Sequence, residues 1–320
     1  MSSEEPVAGP PDSIGPTGPT GPTGARPRPP WAEFQQALTD AGYRPSRRWG
    51  QNLLRDGNMA RAIARDAQVG AEDFVLEVGP GCGFLTLHLL DFGVRLLGVD
   101  IDPRLLAVAR ELLPASAHLE LLQCDVLAGK HQLAPEVLER LPAAGPWHLV
   151  SNLPYSIGTS VMIVLARLAN PPTSMTVLIQ RELAERIASP PGTKSWGPAS
   201  IRLQAGYEVE LLRGVPRDLF WPRPKVESQV VRLCARADGL RATADLDALV
   251  DGLFRGRRKT LGRLLADLLG DRAAALGLLE SHGLPPATRP EELSLERIAA
   301  LASDPSWTGR PGSSGRSRAR

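Results

Sequence analysis

The chain of 320 residues, 42% hydrophobic and with a formal net charge of only +2, has room for one large domain and a smaller one around a real core. No run is long and apolar enough to span a bilayer, the N-terminus lacks a signal peptide's hydrophobic segment, and so small a net charge does not by itself announce a nucleic-acid partner. The three cysteines, Cys82, Cys124 and Cys234, are widely spaced without a CxxC pair, which argues against a disulfide framework or a zinc site and for a reducing cytosol.

Residues 1–30 are rich in Pro, Gly, Ser and Thr and contain GPTGPTGPTG, Gly15 to Gly24. A few such triplets cannot sustain a triple helix, so a disordered extension is expected. From residue 31 to 237 the pattern alternates. Short β-rich runs, Phe74–Gly79, Arg95–Asp100, Leu119–Cys124, Trp147–Asn152 and Met175–Gln180, are separated by helical or turn-rich stretches. Strands apolar on both faces predict a parallel sheet covered by helices on each side. Tyr207–Val215 and Ser228–Cys234 follow with no long helix between them, as in an antiparallel pair closing one edge. Strands stop after about Asp238. Leu246, Leu249, Val250, Leu253, Leu261, Leu264, Leu265 and Leu268 then recur at helical spacing, predicting a small all-α domain over 238–305. Residues 306–320 read as a flexible basic tail.

The first strand runs into Gly79, Gly81 and Gly83, and the second ends in Asp100, about twenty residues on. Glycines there let backbone approach a ligand closely, and the carboxylate suits ribose hydroxyls. The pattern points to a nucleoside-containing cofactor. Its spacing is G-x-G-x-G rather than the dinucleotide G-x-G-x-x-G, and Pro80 removes an amide that a pyrophosphate would use. Glu77 adds a carboxylate suited to a cationic amino-acid moiety. S-adenosylmethionine, with an ammonium, a sulfonium and no phosphate, fits this set. Asp125, after the third strand, stands where a carboxylate accepts from the adenine amine, although an Asp there also suits a helix cap. Ile101 and Val126, beside the two aspartates, complete the candidate cofactor wall.

The fourth strand delivers SNLPY, Ser151–Tyr155, to the same carboxyl edge. The exocyclic amine of adenine is a poor nucleophile because its lone pair is delocalised into the ring. The Asn152 side-chain oxygen and the Leu153 carbonyl can accept from its two N–H groups, with Pro154 biasing Leu153 towards an extended conformation. Tyr155 offers a face on which an extruded base can stack, and Phe220 can cover the other face. For either ring, ordinary packing is the competing account. In-line attack on a sulfonium methyl needs orientation and no titratable base.

Taken together, GQNLL (Gly50–Leu54), EVGPGCGFLT, VDID, CDV, SNLPYSIGTS, TKSWGPAS, FWPRPKVESQVVRL, FRGRRKTL and RPEELSLERIAALA follow the order seen in the KsgA/RsmA family, which the chain resembles from roughly Arg47 to Ala302. That family methylates two adjacent adenines near the 3′ end of small-subunit ribosomal RNA. The resemblance implies a Rossmann-like class I methyltransferase with a mostly parallel seven-stranded sheet and a small helical C-terminal domain. It implies that Gln51, Asn52 and Leu54 lie against S-adenosylmethionine, and that Gly79, Asp100, Asp125 and Asn152 complete its site. Asn152 and Leu153 would also hold the target amine, with Tyr155 and Phe220 sandwiching the base. Departures are small: Leu53 stands where an aromatic is common, Asp100 where Glu is common, and Trp196 where Tyr is common.

Positive charge is almost all Arg, and it clusters at Arg255, Arg257, Arg258, Lys259 and Arg263 around an otherwise amphipathic helix. With almost no acid in that window, phosphate contact is the expectation against the alternative of a solvated helix face. The expected partner is small-subunit RNA in an assembly intermediate, and the expected state a cytoplasmic monomer without membrane contact. Three rivals stay open: a large-subunit enzyme of the macrolide-resistance type, a DNA adenine methyltransferase, and a non-catalytic RNA-binding assembly or transcription factor on the same fold.

Overall fold

The protein is described from a computed structural model, which covers residues 28–45, 50–129, 132–238, 240–241 and 243–307. Most of the N-terminal extension and the basic tail beyond Trp307 lie outside these residues. Arg28, inside the stretch expected to be structureless, pairs with Asp91 of the folded body.

A seven-stranded sheet organises the described residues. Its strands are β1 (Phe74–Val78), β2 (Arg95–Asp100), β3 (Leu119–Gln123), β4 (His148–Asn152), β5 (Ser174–Gln180), β6 (Tyr207–Val215) and β7 (Ser228–Ala235). In space they run β3-β2-β1-β4-β5-β7-β6, with β7 antiparallel to both of its neighbours and the other pairs parallel. The expected antiparallel pair does close one edge. Because β7 sits inside β6, it is the strand that runs against the rest.

Alternation along each strand divides the core into two layers. Val75, Leu96, Val150, Leu178 and Val230 face one side, against α1 (Trp31–Asp40), α2 (Gly57–Asp66), α3 (Phe84–Leu90) and α4 (Pro103–Leu112). Their neighbours Leu76, Leu97, Leu149, Val177 and Val231 face the other. There they meet α5 (Pro135–Leu138), α6 (Gly158–Ala166), α7 (Arg181–Ile187) and α8 (Pro198–Gln204). Two short ribbons escape the sequence pattern, Leu53–Leu54 paired with Phe220–Trp221, and Leu127–Gly129 paired with Gln132–Leu133.

The C-terminal helices α9 (Ala244–Arg255), α10 (Leu261–Leu269), α11 (Arg272–Ser281) and α12 (Leu295–Ser303) build a third cluster. That cluster also takes in Trp196, Ile201 and Ala205, from residues before 238. Helix α8 is shared: Leu203 faces the sheet layer, while Ile201 and Ala205 face the helical one. Trp196 donates its indole N–H to the Leu293 carbonyl at 3.1 Å. Half-buried charges complete the joint. Arg202 binds Asp247 at 2.7 Å and Asp251 at 2.6 Å, and Arg167 pairs with the same Asp247.

Arg202 is only 15% exposed, and removing its guanidinium leaves the half-buried Asp247 with Arg167 alone and strips Asp251 of its partner. Arg202→Ala is expected to cost about 3 kcal/mol of stability in urea denaturation. A loss under about 0.5 kcal/mol would mean that the ion pair is no more than a surface contact.

Candidate active site

The carboxyl ends of β1, β2, β3 and β4 open into one cleft of about 770 Å³, its mouth included. Such a crevice is expected where neighbouring parallel strands continue in opposite directions through the sheet, as β1 and β4 do here. Of the residues picked out in the sequence, Gln51, Asn52, Gly79, Gly81, Asp100, Ile101, Asp125, Val126, Asn152, Leu153, Pro154 and Tyr155 line it.

Gly79 has φ +72°, and a Cβ there would stand 3.1 Å from Cγ of Pro154. The turn after β1 is thus pressed against the SNLPY segment. Gly81 donates its N–H to Oδ2 of Asp100 at 3.0 Å, and the Asp102 N–H donates to Oδ1 at 2.9 Å. Burial pushes the Asp100 carboxyl up to about 6, against the pull of these amides. The shorter side chain is folded back onto the backbone, yet it still forms part of the cleft wall.

Four candidates stand elsewhere. Glu77 is 1% exposed and accepts from the Thr86 hydroxyl at 2.6 Å. On β1 it alternates with Leu76 and Val78, so it points under α3 rather than into the cleft. Burial raises its carboxyl to about 8. Gly83 begins α3, and the space its Cβ would take is filled by Leu113, 2.8 Å away. Its small size serves packing. Leu54 and Phe220 are partners in the short ribbon, and both turn into the first core layer. At 2% exposure, Phe220 presents no face to a base in the cleft, and Leu53 takes the cleft side instead of Leu54.

Other lining residues were missed. Val78, Val99 and Cys124 immediately precede named candidates, so the strand ends already signalled them. A second group, behind the lining residue Gln51, carries no such signal. The Tyr43 hydroxyl donates to Oε1 of Gln51 at 2.9 Å, and Nε2 of Gln51 donates to Asp102 at 3.3 Å. Asp102 also binds Arg104 at 2.9 Å, and that guanidinium lies over the Tyr43 ring. Only the folded chain brings these residues together.

The acceptor segment is held from several sides. The Ser151 hydroxyl donates to the Val78 carbonyl, the Leu153 N–H to the Leu178 carbonyl at 3.1 Å, and Nδ2 of Asn152 to the Asn52 carbonyl at 2.8 Å. The Tyr155 hydroxyl meets that of Ser228, and burial raises its pKa.

The basic cluster is not one helix face. Helix α9 ends at Arg255 and α10 starts at Leu261, so the charges surround a helix junction. Arg257 is turned inward, donating to the Lys194 carbonyl at 2.6 Å, and Lys259 pairs with Asp267 at 3.0 Å. Arg255, Arg258 and Arg263 are exposed.

The sheet order, the glycine turn after β1 and the acidic end of β2 define a class I methyltransferase fold. Within that class, residues 43–302 match the model of the ribosomal RNA adenine dimethylase family, and the chain belongs to this family. It is 37% identical over 275 residues to a ribosomal RNA small subunit methyltransferase A of Streptomyces coelicolor, covering 85% of this chain and 94% of that one. A protein of the same name from Leifsonia xyli is 39% identical over 282 residues, 85% of this chain and 96% of the relative. Among solved structures, the 23S rRNA methyltransferase ErmE is 26% identical with a TM-score of 0.59, covering 78% of this chain and 98% of that one. A dimethyladenosine transferase from Plasmodium falciparum, 22% identical, shares the fold with a TM-score of 0.65 over 78% of this chain and 95% of its own.

The buried Glu77 carboxyl should make the fold sensitive to alkali. Its folded pKa is raised, so the stability it contributes is complete below the ordinary value of 4.5 and is lost as pH rises towards about 8. Urea denaturation from pH 5 to pH 9 should show Glu77→Gln gaining several kcal/mol on the wild type across that window. Parallel curves would mean that Glu77 is not buried in this way.

Proposed function

We propose that the protein transfers methyl groups from S-adenosylmethionine to N6 of two adjacent adenines near the 3′ end of small-subunit ribosomal RNA, yielding dimethyladenosines. The observation that carries this reading is the single cleft: the glycine turn and the acceptor segment SNLPY form adjoining walls, with Gly79 against Pro154. The cofactor fits the wall chemistry. Asp100 and Asp125 line the cleft and, among the described residues, no Lys or Arg does, which suits a cationic nucleoside and gives no counter-charge for a pyrophosphate.

When bound, S-adenosylmethionine supplies a methyl group activated on its sulfonium. Asp100 holds the ribose hydroxyls, Asp125 accepts from the adenine of the cofactor, and Ile101 and Val126 supply apolar contact. Asn152 and the Leu153 carbonyl accept from the target amine, drawing electron density onto its nitrogen, and Tyr155 stacks on the base. The proton leaves to water after transfer. Arg255, Arg258 and Arg263 meet RNA phosphates, while Arg257 braces the helix junction from inside. We place the enzyme in the cytoplasm, acting as a monomer on an assembly intermediate; none of the described helices is long and apolar enough to cross a membrane.

The higher identity to relatives named for the small subunit, 37% and 39% against 26% for ErmE, favours that substrate over the large subunit. Asn152→Ala should lower transfer of labelled methyl groups to immature small subunits at least about 100-fold at saturating cofactor, with melting temperature nearly unchanged. Undiminished turnover would contradict the role given to Asn152. For RNA binding, replacing Arg255, Arg258 and Arg263 by Gln should flatten the slope of log affinity against log salt by about 0.7–0.9 for each phosphate no longer neutralised. An unaltered slope would take the RNA away from this junction.

A further inference from the structure

The two ends of the Asn152 carboxamide differ chemically, and the fold engages one of them. Its Nδ2 donates to the peptide carbonyl of Asn52 at 2.8 Å. Turning the group over would set its oxygen against that carbonyl with no proton between them, so Oδ1 is the end left to face the cleft. The Asn52 carbonyl is itself held. The Asn52 side chain donates to the Gly50 carbonyl at 3.1 Å, closing the turn, and Gln51 is tied to Tyr43 and Asp102.

We propose that the peptide carbonyl of Asn52 is a positioning group for methyl transfer, fixing the Asn152 carboxamide so that its oxygen faces the acceptor amine. The inference rests on reading the cleft as an adenine methyltransferase site. On this reading an amide suits position 152 better than a carboxylate. An ionised Asp there would be repelled by the Asn52 carbonyl. Protonated, the same Asp would donate its O–H to Asn52 and present its C=O to the amine.

The test is the pH profile of Asn152→Asp beside that of the wild type. The titratable groups around the cleft are Asp100, Cys124, Asp125 and Tyr155. Glu77 on the neighbouring β1 is turned towards Thr86, and residues Gly50–Leu54 and the β5 partner Leu178 carry no titratable side chain. All of these groups are common to both proteins, so the ratio of their rates isolates position 152. Asp100 works in the opposite sense, because its ionised form is the one that holds ribose.

Methyl transfer to immature small subunits is measured at saturating cofactor from about pH 5.5 to about pH 8.5. The ratio of variant to wild-type kcat should climb about tenfold or more as pH falls. A flat ratio, or one highest at the alkaline end where a free carboxylate is the better acceptor, overturns the proposal. A second variant guards against misfolding of the first. Asn52→Ala keeps the carbonyl but releases its turn, and should lower kcat about fivefold or more at saturating cofactor with the RNA KM unchanged. An unaltered kcat in this variant also overturns it. If the wild type moves no methyl group to adenine, the functional reading fails and takes this inference with it; an active wild type with a flat ratio removes the positioning role alone.

Discussion

The site depends on one close approach, the glycine turn after β1 lying against Pro154 at the end of β4. These strands are neighbours in the sheet, but the chain continues from them in opposite directions, and a crevice opens between the loops at their carboxyl ends. With φ at +72° and only 3.1 Å between its missing Cβ and Pro154, Gly79 lets the two loops share a wall. A side chain there would strain the turn and force the loops apart, separating a cofactor from its acceptor. Proximity of the two partners is the main source of rate for attack on an already activated methyl group.

Around this approach the fold fixes polar groups with backbone. Asp100 accepts from two peptide N–H groups, and the Asn152 carboxamide donates to a peptide carbonyl. Backbone partners have fewer degrees of freedom than side chains, so each of these groups is held in one orientation. The short segment before α2 joins the two halves: Gln51 reaches Asp102 beside the cofactor strand, and Asn52 reaches the acceptor strand. Across the molecule, the ion pairs of Arg202 and Arg167 with Asp247 join the helical cluster to the sheet domain.

Much of the sheet was legible because parallel strands buried on both faces read as continuous apolar runs, and functional residues collect at their ends. Asp100, Asp125 and Asn152 were expected at the cleft for that reason, and all three line it. What failed was decided by direction rather than position. Glu77 lies in the right strand, but alternation turns it beneath α3. Phe220 and Leu54 lie in the right loops, but pairing in a two-residue ribbon buries both, and no local pattern specifies that register. Arg257 belongs to a basic run whose helix breaks, and the break turns it towards the Lys194 carbonyl. The link from Tyr43 through Gln51 to Asp102 spans three separate segments and leaves no periodic trace.

Family membership narrows the chemistry to adenine in ribosomal RNA, and the arrangement of the cleft says how a weakly nucleophilic amine would be presented there. The most direct measurement is mass spectrometry of ribosomal RNA after incubating the purified protein with isotopically labelled S-adenosylmethionine and immature ribosomal subunits. The account predicts labelled dimethyladenosine at two adjacent positions near the 3′ end of the small-subunit RNA. Label confined to large-subunit RNA, or absent from adenine altogether, would contradict it.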